Sequence, residues 1–307
     1  MMRKVLVTGA GGFIGRHTLD TLIERGFEVH AVTSKQSPPV IDGDCTWHVA
    51  NLLDLSQIKT LLERVRPSHL LHLAWYAVPG KYWTAEENFL WVQVSLELLR
   101  QFQEYGGQRV VMAGTCAEYD WKYGYLSEFV TPKQPDSPYG ICKNALQEMM
   151  SSYSKQVGLS SAWGRIFFLY GPHEYPNRLV PSVIRSLLLG KPALCSHGKQ
   201  IRDFLYVRDV ADAFVAVLES DIVGAVNIAS GQAIAIKNII YKIAEKLNGL
   251  ELIELGAIPT NANEVPFLVA DVTRLSQEVG WLPKSNIETG LEQTLEWWKE
   301  QNCKESK

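Results

Sequence analysis

The stretch TGAGGFIGRH, Thr8 to His17, constrains this chain more than any other. It follows the apolar run Val5-Leu6-Val7 and places glycines at 9, 12 and 15. That spacing suits a tight turn from strand to helix, where the missing side chains let a ligand approach the backbone. A helix N-terminus exposed in this way binds phosphate, and a dinucleotide is the natural guest.

The surrounding pattern fits. Short apolar or β-branched runs (Lys4 to Thr8, FEVHAVTS, HLLHLA from His69, RVVMAGT from Arg109 to Thr115) alternate with amphipathic stretches. This alternation predicts an α/β fold, a Rossmann-type doubly wound parallel sheet with helices on both faces. In the first helix Gly15, Leu19, Leu22 and Ile23 share a side, and Gly26 stands where a helix ends. SAWGRIFFLYG reads as one further strand, and a long amphipathic segment covers Ser137 to Val157. After Gly171 the text turns irregular, which predicts a smaller, mixed C-terminal lobe. The expected division is a dinucleotide-binding domain over 1–172, with 201–222 returning to it, and a substrate-binding lobe over 173–307. In the last helix Leu291, Leu295 and Trp298 share a face with Trp297 beside them, a core pattern.

Composition narrows the class of partner. A net charge of −3 without a basic run argues against nucleic acid and anionic membranes. Five cysteines without a CxxC pair, and seven scattered histidines, signal neither a zinc site nor a disulfide framework, so a reducing, cytoplasmic setting is expected. The apolar run at the start is only a strand long and ends in glycines, unlike a signal peptide.

Of twelve tyrosines only Tyr139 has a lysine four residues later, in YGICK. On a helix Tyr139 and Lys143 share a face, and the ammonium is expected to lower the phenol's pKa from about 10. Such a phenol is a general acid or base. Thr115, at the end of VVMAGT, is placed to meet the same substrate oxygen. The second strand ends in Thr33-Ser34-Lys35, without the carboxylate that would hold the ribose of NAD. A hydroxyl and an ammonium there favour NADP(H) over NAD(H), unless Lys35 is simply a solvated loop residue.

In order and spacing, TGAGGFIG, HLAW, AGTCAEY, SPYGICK, RIFFLYGP, RDFLYVRDV, NIASG and the terminal GWLP…GLEQTLEWW make the chain resemble an extended short-chain dehydrogenase/reductase. That family contains the NAD(P)-dependent nucleotide-sugar epimerases, dehydratases and ketoreductases. The resemblance implies catalytic Thr115, Tyr139 and Lys143. It implies cofactor contacts from Gly9, Gly12, Phe13, Ile14, Gly15, Ser34, Lys35, Asn51, Leu52, Leu73 and Ala74, with Tyr139 and Lys143 also at the cofactor. Arg202 matches an arginine that grips a substrate diphosphate, or else forms an ion pair with Asp203 or another carboxylate. Tyr76, Cys116, Phe168, His173, Arg178, Leu179 and Glu264 complete the expected substrate set.

Departures from the family pattern select among reactions. The family's 4,6-dehydratases carry Asp-Glu after the threonine, whereas Cys116-Ala117 stand here and supply no matched acid and base. Glu118 should point away if the strand continues. The cysteine and histidine of epimerase-reductases are incompletely matched, since His173 fits its position and Cys116 is one residue off. Phe168 replaces an asparagine, and a second diphosphate arginine is absent from TNANEVP, where Asn261 and Glu264 stand. Trp75, Tyr76, Tyr82 and Trp83 either stack a ring or fill the core. The expected activity is NADPH-dependent reduction of a nucleotide-linked 4-keto-6-deoxyhexose. A nucleotide-sugar epimerase, a reductase of small carbonyl compounds and a non-catalytic NADP(H)-binding protein are the alternatives. The resemblance also implies a homodimer through helices near Asn88 to Tyr105 and Ser137 to Val157, with Trp91 and Phe102 as anchors or facing their own sheet.

Overall fold

A computed structural model describes residues 3–38, 43–260 and 264–305. The first half runs β1 (Arg3–Thr8), α1 (Gly15–Glu24), β2 (Phe27–Thr33), β3 (Cys45–Val49), α2 (Leu55–Val65), β4 (His69–His72), α3 (Glu87–Glu104) and β5 (Arg109–Thr115). Then come β6 (Tyr125–Leu126), α4 (Pro138–Val157), β7 (Ser160–Ile166), β8 (Phe168–Tyr170), α5 (Leu179–Leu188) and β9 (Ala193–Cys195). The chain closes with β10 (Ile201–Tyr206), α6 (Val207–Glu219), β11 (Gly224–Ile228), β12 (Ala233–Ala235), α7 (Ile236–Lys246), β13 (Ile253–Leu255), β14 (Phe267–Ala270) and α8 (Ile287–Glu305).

Seven parallel strands form the main sheet in the order β11-β7-β5-β4-β1-β2-β3. Strand order reverses beside β1, so the C-terminal ends of β1 and β4 open a crevice there, the position at which such sheets bind ligands. Leu19 and Leu22 of α1 pack with Val210 and Phe214 of α6 against one face. Ile58, Leu98, Phe102, Leu146 and Met150 of α2, α3 and α4 cover the other. Both faces are buried, which is why strands such as VLV and RVVM read as unbroken apolar runs.

Three local differences from the sequence reading have physical causes. SAWGRIFFLYG is two strands: β7 belongs to the main sheet, and β8 pairs with β10 in a second sheet. The chain changes sheets at Phe167, whose N–H donates to Ile228 O at 3.3 Å and whose ring is buried beside Tyr119 and Leu268. Of the segment 201–222 expected to return to the first domain, β10 pairs instead in the second sheet; the return is made by α6 and by β11, which runs to Ile228, past the boundary near 222. Strand β3 is an edge strand of five residues in which only His48 is buried, so it carries no run of buried apolar residues like those of β1 or β5.

The smaller lobe is mixed, as expected. Its sheet pairs β12 antiparallel and β14 parallel with β10, and α5, α7 and α8 enclose a separate core that holds Leu291, Leu295 and Trp298. Phe102 is fully buried and Trp91 lies against Trp75, so both face their own subunit. Among the described residues no helix is long and apolar enough to cross a membrane.

Candidate active site

The glycine turn is built by close approach. Gly9 has φ +67°, and a Cβ there would lie 2.8 Å from Ala74 N and 2.9 Å from the carbonyl carbon of Leu73. A Cβ on Gly15 would lie 2.2 Å from Gly9 O. The Thr8 hydroxyl ties the turn to the next strand, accepting from Ala74 N at 3.3 Å and pairing with His72 Nδ1 at 2.7 Å. No side chain caps α1 and no acid stands in its first turn, so its N-terminus keeps the positive end that a pyrophosphate requires. Phe13 and Ile14 are partly buried at this turn. These features fit a dinucleotide.

Further along the crevice, Ser34 and Lys35 are exposed at the end of β2. Asn51 is exposed and its Oδ1 accepts from Leu53 N at 3.1 Å. Leu52 is buried among the residues of α2.

Thr115, Tyr139 and Lys143 come together where β5 meets α4. Ser137 caps α4 by accepting from Gly140 N, and Pro138 sits at its first position, a start suited to both residues. One turn then separates Tyr139 from Lys143. Lys143 is buried; its Nζ donates to Ala113 O at 2.8 Å and lies 3.7 Å from the centre of the Trp75 ring. Burial lowers the ammonium to about 7, with the negative charge of Glu118 pulling the other way.

Tyr139 behaves differently from expectation. Burial and the neighbouring Tyr82 push its phenol up, opposed by a hydrogen bond with Thr115. The lowering by Lys143 anticipated from their spacing is not found: the causes are burial, Tyr82 and Thr115, and the Lys143 ammonium is directed at Ala113 O and the Trp75 ring. At neutral pH Tyr139 is therefore protonated, the state of a proton donor. Its ring meets Tyr82 edge-on at 4.9 Å and Trp83 at 5.7 Å, so these aromatics border the phenol. Trp75, besides meeting Lys143, is fixed by Nε1 donating to Asn88 Oδ1 at 2.9 Å.

The burial of Lys143 carries a cost that can be measured. The unfolded chain holds this proton up to pH of about 10.4, whereas the folded chain releases it near 7. Between those values unfolding takes up a proton, so stability rises with pH across the window. Lys143→Met, with no charge to bury, is expected to be more stable than the parent at pH 7 by on the order of 2 kcal/mol, after the lost contacts are subtracted. Thermal unfolding of both proteins from pH 7 to 10 checks this; the gap should narrow as pH rises.

After Thr115 the strand stops and a short turn, Cys116–Glu118, curls back. Glu118 consequently points inward, where continued strand alternation would have aimed it away. It is fully buried and pairs with Arg165, Nε to Oε2 2.6 Å. Cys116 is buried, which pushes its thiol up to about 12. His173 has φ +69° and sits over α1, its Nδ1 2.6 Å from Arg16 Nη1 and its ring 4.5 Å from that of Trp297. These contacts set His173 beside the glycine turn and not with Cys116, so the structure does not assemble a cysteine–histidine proton pair.

On the substrate side, the Arg202 guanidinium lies 5.4 Å from the Phe168 ring centre, and its Nη2 donates to Glu264 Oε1 at 3.0 Å. Its carboxylate partner is Glu264 and not Asp203, which is held by Ser230, Gly231 and Ala270. Arg178, exposed, lies 5.7 Å from the Tyr82 ring centre, and Leu179 and Tyr76 are partly buried. Asn261 lies outside the described residues.

Two features escaped the sequence reading: the Trp75 seat of Lys143 and the Glu118–Arg165 pair. Arg165 offered a signal, since an arginine inside an apolar strand must find a carboxylate.

The model of the NAD dependent epimerase/dehydratase family matches residues 5–229. Over 97% of this chain and 90% of its own length, the dTDP-D-glucose 4,6-dehydratase of Homo sapiens is 27% identical. The UDP-glucose 4-epimerase of Thermotoga maritima, solved with UDP-glucose, superposes with a TM-score of 0.86 at 25% identity, covering 97% of this chain and 99% of that one. The Thermus thermophilus UDP-glucose 4-epimerase, solved with NAD, gives 0.81 at 25% identity, covering 96% and 99%.

Proposed function

Because the chain belongs to the NAD dependent epimerase/dehydratase family, we propose that it is a nucleotide-sugar ketoreductase, reducing the 4-keto group of a nucleotide-linked 4-keto-6-deoxyhexose. The observation that carries this reading is the placing of Tyr139 and Lys143 one turn apart on α4 against the end of β5, where the carboxylate that follows Thr115, Glu118, is already taken by Arg165. A 4,6-dehydratase needs carboxyl groups after Thr115. Cys116 and Ala117 provide none, and Glu118 is committed to Arg165.

When bound, a reduced nicotinamide supplies the hydride. Thr115 and Tyr139 hold the carbonyl oxygen, and Tyr139 gives its proton to the alkoxide that forms. Lys143, whose Nζ donates to Ala113 O, has further N–H donors with which to hold the ribose. Arg202 grips the diphosphate after exchanging Glu264 for it, a bidentate task suited to a guanidinium.

NADPH is favoured over NADH because Ser34 and Lys35 stand exposed where a carboxylate would repel the 2′-phosphate. The Thermus neighbour holds NAD, which favours the alternative of an epimerase that keeps its cofactor. A homodimer is part of the proposal. Phe89 and Leu90 on α3 and Ile141 and Met149 on α4 are exposed, an apolar surface that a second α3–α4 pair would cover in a two-fold contact. A sedimentation mass of one chain at micromolar concentration would count against it.

The deciding experiment follows nicotinamide absorbance with NADPH or NADH and a panel of CDP-, dTDP- and GDP-4-keto-6-deoxyhexoses. Stoichiometric oxidation with one sugar, faster with NADPH, is the expected result. Isomerised sugar without net oxidation would replace the reading with an epimerase. Turnover only of carbonyl compounds lacking a diphosphate would match an Arg202 that stays with Glu264. Tight NADPH binding without turnover of any carbonyl would indicate a non-catalytic binding protein.

A further inference from the structure

Glu118 is completely buried beneath the triad, yet the proposed reaction gives it no role. Its two oxygens are fully engaged. Oε1 accepts from Thr115 N at 2.9 Å and from Trp163 Nε1 at 2.8 Å, while Oε2 accepts from Arg165 Nε at 2.6 Å. Arg165 in turn donates to the Tyr119 hydroxyl at 2.9 Å, which donates to Asn227 Oδ1 at 2.7 Å. The Thr115 side chain also accepts from Ala117 N, so the turn after β5 is closed from both ends.

The same indole links this carboxylate to the lysine. Trp163 gives its N–H to Glu118, and its ring centre lies 5.8 Å from Lys143 Nζ. Two residues of β5 are held from opposite partners, Ala113 O by Lys143 and Thr115 N by Glu118. Gly114 between them leaves the space, since a Cβ there would lie 2.0 Å from Trp163 Nε1 and 2.7 Å from Glu118 Oε1.

We propose that Glu118 is a positioning residue of this site: from one carboxylate it fixes the backbone that presents the Thr115 hydroxyl and, across the Trp163 indole, sets a negative charge on the side of Lys143. The proposal rests on the reading of Thr115, Tyr139 and Lys143 as a hydride-transfer site, and its charge role can be tested without substrate. The surroundings of Lys143 leave Glu118 as the source of that charge among the described residues. Strand β4 contributes His72, which burial lowers to about 3 and which is neutral above that pH. The loop after β4 contributes Trp75, β5 a backbone carbonyl, β7 the Trp163 ring and, on the same face of that strand, the Arg165 guanidinium that is paired with Glu118, and α4 itself the phenol of Tyr139. The opposing influence on the lysine's titration comes from Glu118.

Glu118→Gln alone sets an amide N–H₂ against the Arg165 guanidinium, so the informative variant is Glu118→Gln with Arg165→Met. Glutamine keeps an acceptor for Thr115 and Trp163, while both charges go. NMR of isotope-labelled lysine in the ligand-free protein, with Lys143→Met assigning the signal, reads the lysine directly. The expected result is a Lys143 midpoint about one pH unit or more below the parent's, with the alkaline limb of kcat/KM moving the same way. Glu118→Asp keeps the charge but shortens the reach. Its midpoint should stay near the parent's while kcat falls at least tenfold. An unchanged midpoint in the double variant would overturn the charge role, and a parental kcat in Glu118→Asp would overturn the positioning of Thr115. A shifted midpoint in a protein that reduces no carbonyl would retain the Glu118 link and reject the ketoreductase.

Discussion

Tyr139→Phe is expected to lower turnover by about 10² to 10⁴ while leaving cofactor affinity within about threefold of the parent. The substitution removes one oxygen and keeps the ring, so the edge contacts with Tyr82 and Trp83 persist. The alkoxide then takes its proton from water, and Thr115 alone holds the carbonyl oxygen. Folding stability changes by about 1 kcal/mol at most, the scale of a single hydrogen bond. Steady-state kinetics with nicotinamide absorbance, beside a cofactor titration, separates the two quantities. A variant that reduces substrate at the parental rate would remove Tyr139 from the mechanism.

Gly15→Ala has an equally large effect by another route. The added Cβ meets Gly9 O at 2.2 Å and Ala10 Cα at 2.8 Å, both main-chain atoms in the turn. Neither can rotate away as a side chain could, so the turn opens and α1 moves from the phosphate position. Cofactor affinity is expected to fall at least a hundredfold, about 3 kcal/mol. Gly26→Ala is the control. It stands at φ +77° with open space around it, so it costs about 1 kcal/mol of stability and leaves the cofactor alone. Calorimetric titration with NADPH reads both. Parental affinity in Gly15→Ala would mean that the turn is not the phosphate site.

The parts of the site legible in the sequence are those with a local period. Glycines at every third position mark a turn, and a tyrosine with a lysine four residues later marks one helix face; both stand where expected. The alternating strands and helices likewise announced the parallel sheet. What escaped is set by contacts distant in sequence. For Glu118 the sequence left two directions open, outward on a continued strand or back through a loop, because a three-residue turn is too short to leave a periodic signature; the turn Cys116–Glu118 takes it back. Its partner Arg165 lies 47 positions away. The environment of the Tyr139 phenol was misjudged for the same reason: the lysine neighbour is visible in the sequence, but Tyr82 and the burial around it are not.

The change of sheets at Phe167 bears on motion. Ile166 is the last paired residue of β7 and Phe168 the first of β8, so a single residue, itself buried, carries the chain from the main sheet to the sheet of the smaller lobe. Asn227 adds to this connection by donating to Leu126 O at 2.9 Å and Asp271 O at 3.0 Å. A swing of one lobe at this crossing would strain the Asn227 hydrogen bonds and move the buried Phe167, so this connection resists hinge motion.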